Sequence, residues 1–179
     1  MICVNRYLGI LRLGLSVFTV GVFVFSCETL PEVSETTTSG EISVYTYKIV
    51  NTYPHDPNAF TQGLIFEDGV LYEGTGIRGR SSLRQVVLKT GEVLQRRELS
   101  DDYFGEGITI FGERIIQLTW QSRVGFVYDK AGFELLRSFT YSTEGWGVTH
   151  DGDRLIMSDG TSTLYFRDPE TFEEVGRVN

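Results

Sequence analysis

A chain of 179 residues with 16 Lys and Arg against 24 Asp and Glu carries a formal net charge of −8 and no basic run. Nucleic acid is therefore a poor candidate partner, because phosphate binding needs clustered Lys and Arg. Hydrophobic content of 41% and aromatic content of 13% argue against disorder of the whole chain and leave room for one domain with a real core.

The N-terminus has the form of an export signal. Arg6 and Arg12 supply positive charge, Leu13 to Phe25 is an uncharged apolar run, and the small residue Ser26 closes it. The run is short of the roughly 20 residues that a membrane-spanning helix needs. Val24-Phe25-Ser26-Cys27 is similar to a bacterial lipobox, in which the cysteine is lipidated and becomes the new N-terminus, although Phe25 departs from the usual small or β-branched residue. The alternative is ordinary signal cleavage near Ser26. The expectation is a signal peptide over 1–26 and a cell-envelope protein held to the membrane through Cys27, facing periplasm or exterior.

Removing 1–26 takes away two basic residues and no acids, leaving 14 − 24 = −10, and takes away Cys3. With Cys27 alone remaining, the folded part has no disulfide and must hold itself by packing. Residues 27–40 are polar, rich in Thr, Ser and Glu, and without periodicity, as expected of a flexible tether. The folded domain is expected over 41–179.

Within that domain three segments superimpose without gaps: TQGLIFEDGVLYEGTG from Thr61, GEGITIFGERIIQLTW from Gly105 and GWGVTHDGDRLIMSDG from Gly145. Their centres at Gln62, Glu106 and Trp146 are 44 and 40 residues apart. A period of roughly 40–50 residues with strand-like content is that of a propeller blade. The second repeat divides at turn residues into Gly107–Ile110, Ile115–Trp120, Val124–Tyr128 and Phe133–Phe139. The third follows with Ile156–Met157, Leu164–Phe166 and Phe172–Val178. No window after the leader has helical periodicity. The predicted fold is all-β, a β-propeller of four-stranded antiparallel blades, about three of them present. Val44–Tyr53, ahead of the first repeat, is expected as an outer strand whose own blade lies elsewhere. At this period about two more blades would be needed to close a ring.

The strings Phe60-Thr61-Gln62-Gly63-Leu64, Gly79-Arg80-Ser81-Ser82, Phe104-Gly105-Glu106-Gly107, Leu118-Thr119-Trp120 and Glu144-Gly145-Trp146-Gly147 resemble the plant and bacterial glutamine cyclotransferases. The resemblance runs from about Tyr47 to Val178. It implies a five-bladed propeller that converts N-terminal glutamine of peptides to pyroglutamate with release of ammonia, without a cofactor. It puts the general acid/base on Glu106, and the substrate-pocket lining on Phe60, Gln62, Phe104, Trp120 and Trp146. The family also draws an Asn and a Trp from a fourth repeat and a Lys further on, positions past Asn179.

The residues themselves direct attention to the same place. Gln62, Glu106 and Trp146 are equivalent in the repeats yet chemically different, whereas purely structural repeats tend to reuse one residue type. Equivalent positions on first strands point toward a common axis, so the alternative is that they merely line a channel. Cyclisation needs a group that takes a proton from the α-amine and gives one to the departing nitrogen, which one carboxyl can do in sequence. Aromatic walls would hold the glutamine stem folded and displace water, and burial would raise the pKa of Glu106. Gln62 could hydrogen-bond the carboxamide.

His55 and His150 have no metal-ligand spacing around them, so no zinc site is expected. Asp101-Asp102 and Asp151-Gly152-Asp153 fit turns better than calcium loops, Arg78 and Arg80 lie in a turn, and no Ser-His-Asp arrangement is legible. The alternative function is a non-catalytic propeller lipoprotein binding peptides or a protein partner through the same funnel.

Overall fold

The computed structural model describes residues 45–179. The expected leader, Cys27 and the tether lie outside the described residues. The compact unit is Lys48–Asn179.

It consists of twelve strands in three four-stranded antiparallel sheets. The first sheet is β1 (Thr61–Glu67), β2 (Val70–Thr75), β3 (Ser82–Val87) and β4 (Val93–Glu98). The second is β5 (Gly105–Phe111), β6 (Arg114–Thr119), β7 (Val124–Asp129) and β8 (Leu135–Thr140). The third is β9 (Val148–His150), β10 (Leu155–Ser158), β11 (Leu164–Arg167) and β12 (Glu174–Val178). Strands pair in chain order within each sheet, so each sequence repeat is one blade. No helix occurs among the described residues.

The core lies between blades. Tyr72, Leu83 and Leu99 of the first blade pack with Ile108, Ile110, Ile115, Phe126, Tyr128 and Phe133 of the second. Ile116, Leu118, Val127, Phe139 and Tyr141 of the second pack with Leu155, Met157, Tyr165 and Phe172 of the third. The alternation of side chains along a strand makes this possible: Ile115 and Ile116 are adjacent on β6 and serve opposite interfaces. Each buried aliphatic side chain of this kind is worth about 1.5–3 kcal/mol. At the rims, Lys130 pairs with Glu67 at 2.9 Å across the first interface, and Arg114 pairs with Glu170 across the second.

The innermost strands approach more closely than side chains allow. A Cβ on Gly63 would lie 2.6 Å from the Ile108 nitrogen, and one on Gly107 would lie 2.6 Å from the Trp146 oxygen. These two glycines, with Gly147, are repeat equivalents and follow Gln62, Glu106 and Trp146. The Gly107 N–H donates to the Trp146 carbonyl at 2.8 Å, which ties the second blade to the third.

Two expectations need correction. Tyr45 to Tyr53 form no strand and are exposed, Ile49 at 69% and Val50 at 82%. Each sheet is built from four strands consecutive in the chain, and this segment pairs with none of them. The segment just after it is fixed instead by side chains. His55 Nε2 lies 2.7 Å from the buried Glu73 carboxylate, Thr61 Oγ1 donates to the same oxygen, and Arg84 donates to Asp56 at 2.9 Å.

The fourth strands also start later than expected, at Leu135 and Glu174 rather than Phe133 and Phe172. Both phenylalanines hold left-handed backbone, with φ of 57° and 63°. Their repeat equivalent in the first blade is Gly91, at φ 73°. In all three blades this residue's N–H donates back to the turn's first carbonyl, on Val87, Asp129 and Asp168. Glycine takes that conformation freely, whereas phenylalanine in it costs about 1–3 kcal/mol and must be held by its surroundings. The rings supply the hold. Phe133 and Phe172 are 1% and 2% exposed, and Phe172 stacks on Phe139 at a centroid distance of 3.6 Å.

Adding a methyl group at Gly63 or Gly107 sets two effects against each other. Reduced freedom of the unfolded chain stabilises by about 0.4–1 kcal/mol, and overpacking costs about 1–3 kcal/mol. The obstructing atoms are backbone atoms of another blade, which cannot rotate away, so the cost should win. Gly63→Ala and Gly107→Ala should each lower the denaturant midpoint. Gly147→Ala, whose new Cβ would meet only the Ser158 hydroxyl at 3.0 Å, should lower it less. Equal effects at all three positions would show that the close approach does not limit stability.

Candidate functional site

Two of the innermost strands are bulged at their cavity residues. In the β1–β2 ladder the register slips between Thr61 and Gly63, leaving Gln62 as the extra residue. In the β5–β6 ladder it slips between Gly105 and Ile108, around Glu106-Gly107. A bulge turns a side chain out of the alternation of its strand, and bulges are frequent beside sites for that reason. The third blade reaches the same place differently: Trp146 precedes β9, its N–H donating to the Ser158 carbonyl at 3.0 Å.

Glu106 is held on both sides by contacts that its flanking glycines permit. A Cβ on Gly105 would lie 2.6 Å from the Thr75 oxygen of the first blade, and Gly107 abuts Trp146 of the third. The Gly105 N–H donates at 3.0 Å to Ser81 Oγ, which also lies within hydrogen-bond reach of the Ile77 and Tyr103 carbonyls. Ser81 belongs to the Gly79-Arg80-Ser81-Ser82 string and thus sets where Glu106 begins. Arg78 and Arg80, in the same loop, are exposed.

Gln62, Phe104, Glu106, Trp120 and Trp146 line one cavity of about 260 Å³. That lies just below the range of about 300–1,000 Å³ typical of drug-sized ligands, and suits a single side chain with its backbone. Phe104 packs edge-on against Trp120, with centroids 5.6 Å apart. Phe60 does not line the cavity. It stands behind Phe104, edge-on at 6.2 Å, and is 52% exposed. Gly76 and Gly160 make room for the walls, since a Cβ on either would run into the ring of Phe104 or Trp146 respectively. A second cavity, lined by Gly147, Val148, Thr149, Ile156, Ser158 and Leu164, is slightly larger at about 330 Å³ but contains no titratable group.

The electrostatics divide two carboxyls. Burial, with a smaller push from the charge of Glu144, raises Glu106 to about 7. Glu144 goes the other way, held below the ordinary carboxylate range first by the Trp146 indole and then by that of Trp120. One oxygen, Glu144 Oε2, accepts from Trp120 Nε1 at 2.7 Å and from Trp146 Nε1 at 3.0 Å. Environments that drive paired titratable groups apart are a signature of acid–base sites.

Glu144 stands in the Glu144-Gly145-Trp146-Gly147 string, where the family resemblance assigns it no role. The signal was available: Glu144 is the repeat equivalent of Phe60 and Phe104, a carboxylate where two repeats carry an aromatic ring. The Asp151 carboxylate, by contrast, is committed to its turn. It accepts from the Asp153 and Arg154 amides at 3.1 and 2.7 Å and is held at about 2, chiefly by the Arg154 amide.

The family model described as glutamine cyclotransferase matches residues 22–179. The chain belongs to the glutamine cyclotransferase family. It is 44% identical over 128 residues to a glutaminyl-peptide cyclotransferase of Arabidopsis thaliana, covering 70% of this chain and 40% of the plant protein. It superimposes on the glutaminyl cyclase of Myxococcus xanthus with a TM-score of 0.68 and 37% identity, covering 74% of this chain and 56% of that one. The chain thus spans less than two thirds of either relative. The Neurospora crassa Pan2 WD40 domain, at TM-score 0.56 and 12% identity, shares the fold alone. The blade architecture expected from the repeats is therefore that of the family.

The raised pKa of Glu106 has a defined consequence for stability. The native state keeps a proton that the unfolded chain releases between about 4.5 and about 7. The stabilising contribution is full below the lower value and is lost as pH rises through the upper one. Glu106→Gln cannot ionise. Its melting temperature should therefore rise relative to the unsubstituted protein between about pH 4 and about pH 8. Parallel melting curves of the two proteins across that range would mean that Glu106 titrates as an ordinary exposed carboxyl.

Proposed function

We propose that this propeller cyclises N-terminal glutamine of peptides to pyroglutamate, releasing ammonia. The observation that carries the proposal is a carboxyl group near half-ionisation at neutral pH, set in a cavity walled by two indoles and a phenyl ring. The family and the names of the two relatives support it. No metal or cofactor is needed for the steps below.

In the reaction the substrate α-nitrogen bonds to the side-chain carboxamide carbon, and that carbon's bond to the amide nitrogen breaks. Ionised Glu106 takes the proton that the amine loses, then delivers it to the departing nitrogen, which leaves as ammonia. A group that must do both in one turnover is best poised with its pKa near the working pH. The aromatic walls hold the glutamine stem curled, so that amine and carboxamide meet as an intramolecular pair. Gln62, with both an acceptor and two donor hydrogens on its amide, can orient the carboxamide.

We further infer export with lipidation at Cys27, supported by Arg6, Arg12, the apolar run to Phe25 and the Ser26-Cys27 junction. Cys27→Ala should abolish membrane partitioning and globomycin-sensitive processing. Unchanged retention of that variant in the membrane would rule out the anchor.

For the activity, a Gln-initiated peptide incubated with the protein should yield a product lighter by one ammonia, read by mass spectrometry. Glu106→Gln should lose about 10²–10⁴-fold in kcat, the usual share of general acid–base catalysis. Unaltered turnover in that variant would remove Glu106 from the mechanism.

A further inference from the structure

The chain contains two tryptophans, Trp120 and Trp146, and they come from different blades. Trp120 follows β6, and Trp146 precedes β9. Both line the cavity, and both indole N–H groups end on the same oxygen of Glu144. Indole nitrogen can only donate, whereas a carboxylate has about four lone-pair sites, so one oxygen can serve both rings. Bonds to an ionised acceptor are shorter and stronger than neutral ones. Glu144 itself is seated firmly. The next residue, Gly145, donates to the Trp120 carbonyl at 3.1 Å, and a Cβ there would lie 2.3 Å from Tyr141 Oη. Tyr141 Oη in turn donates to the Thr119 carbonyl at 2.5 Å and accepts from the Thr119 N–H at 2.9 Å.

We propose that Glu144 is a positioning residue, whose carboxylate draws the two indoles from neighbouring blades into one rigid wall of the glutamine pocket and places a fixed negative charge beside Glu106. This rests on the cyclase function proposed above. Without Glu144 each indole is free to turn about its own side-chain torsions, and the wall that curls the substrate loses its shape. The charged and titratable groups around the pair are few. Glu144 and the Tyr141 phenol face Glu106, and Arg123 faces Glu144. Burial pushes the phenol above its ordinary range, so it stays neutral where Glu106 titrates, and the charge acting on Glu106 there is that of Glu144.

Because the chain has two indoles and both are in the site, the proposal can be tested apart from activity. In a ¹⁵N-correlated spectrum, both indole N–H signals of the unsubstituted protein should lie downfield and exchange slowly with solvent. In Glu144→Ala both should move upfield and exchange faster, while the amides of the inter-blade cores stay in place. Glu144→Gln keeps an acceptor oxygen but loses the charge, so its indoles should remain largely in position. For turnover of a Gln-initiated peptide, Glu144→Ala should lose on the order of 10²-fold in kcat/KM, the scale of a misplaced pocket wall. Glu144→Gln should restore most of that loss, with the acid limb of its pH–rate profile displaced to lower pH.

Indole signals indifferent to Glu144→Ala would overturn the positioning role whatever the activity. An acid limb that does not move in Glu144→Gln would overturn the electrostatic part, and this variant also serves if the alanine protein does not fold. Responsive indoles in a protein that makes no pyroglutamate would instead reject the cyclase function and leave the wall intact.

Discussion

The innermost strands of the three blades meet backbone to backbone, and the molecule can be built around the site only because they do. Gly63 and Gly107 surrender their side chains so that Ile108 and Trp146 can come within about a van der Waals radius sum of the neighbouring main chain. A Cβ at either place would hold the blades apart at their narrow ends. The residues just before these glycines then have nowhere to point except the space where the blades converge. Gln62 and Glu106 share one cavity with Trp146, and Gly63 and Gly107 close the gaps between the blades behind them.

That geometry also explains the unequal chemistry of the cavity. Bulges at Gln62 and Glu106 turn both residues out of their strands' alternation, toward the cavity rather than into a blade interface. Glu106 is left half-buried among aromatic rings, where ionisation is costly. Glu144 reaches the same region from the loop after β8, but meets two N–H donors and stays ionised. Two glutamates with the same intrinsic acidity are thereby separated by their surroundings alone, one kept as a proton carrier and one as a fixed charge.

The wide ends of the blades are governed by a different balance. There the turn before each fourth strand demands left-handed backbone, met by Gly91 in the first blade and by Phe133 and Phe172 in the others. The two rings complete the two inter-blade cores, and their burial offsets the backbone strain. Tight inner contacts thus come from removing side chains, and tight outer contacts from driving large ones into place.

Repeat periodicity determined the blade count, the sheet direction and the gathering of Gln62, Glu106 and Trp146, because equivalent positions in a stacked repeat must occupy equivalent places. The aromatic walls at Phe104 and Trp120 were legible for the same reason. What the linear order could not decide depends on distances between blades. Phe60 matches Phe104 in the repeat, yet it stands behind that ring rather than at the cavity. Tyr45–Tyr53 has strand-like composition, but a strand also needs a partner, and this segment pairs with none of the three sheets. Phe133 and Phe172 continue the apolar pattern of a strand, while their backbone obeys a turn set by the hydrogen bonds of its own ends. Glu144 is one acid among 24 in the sequence. Its hold on two indoles, and its opposition to Glu106, arise only when loops 24 residues apart are folded onto the same point.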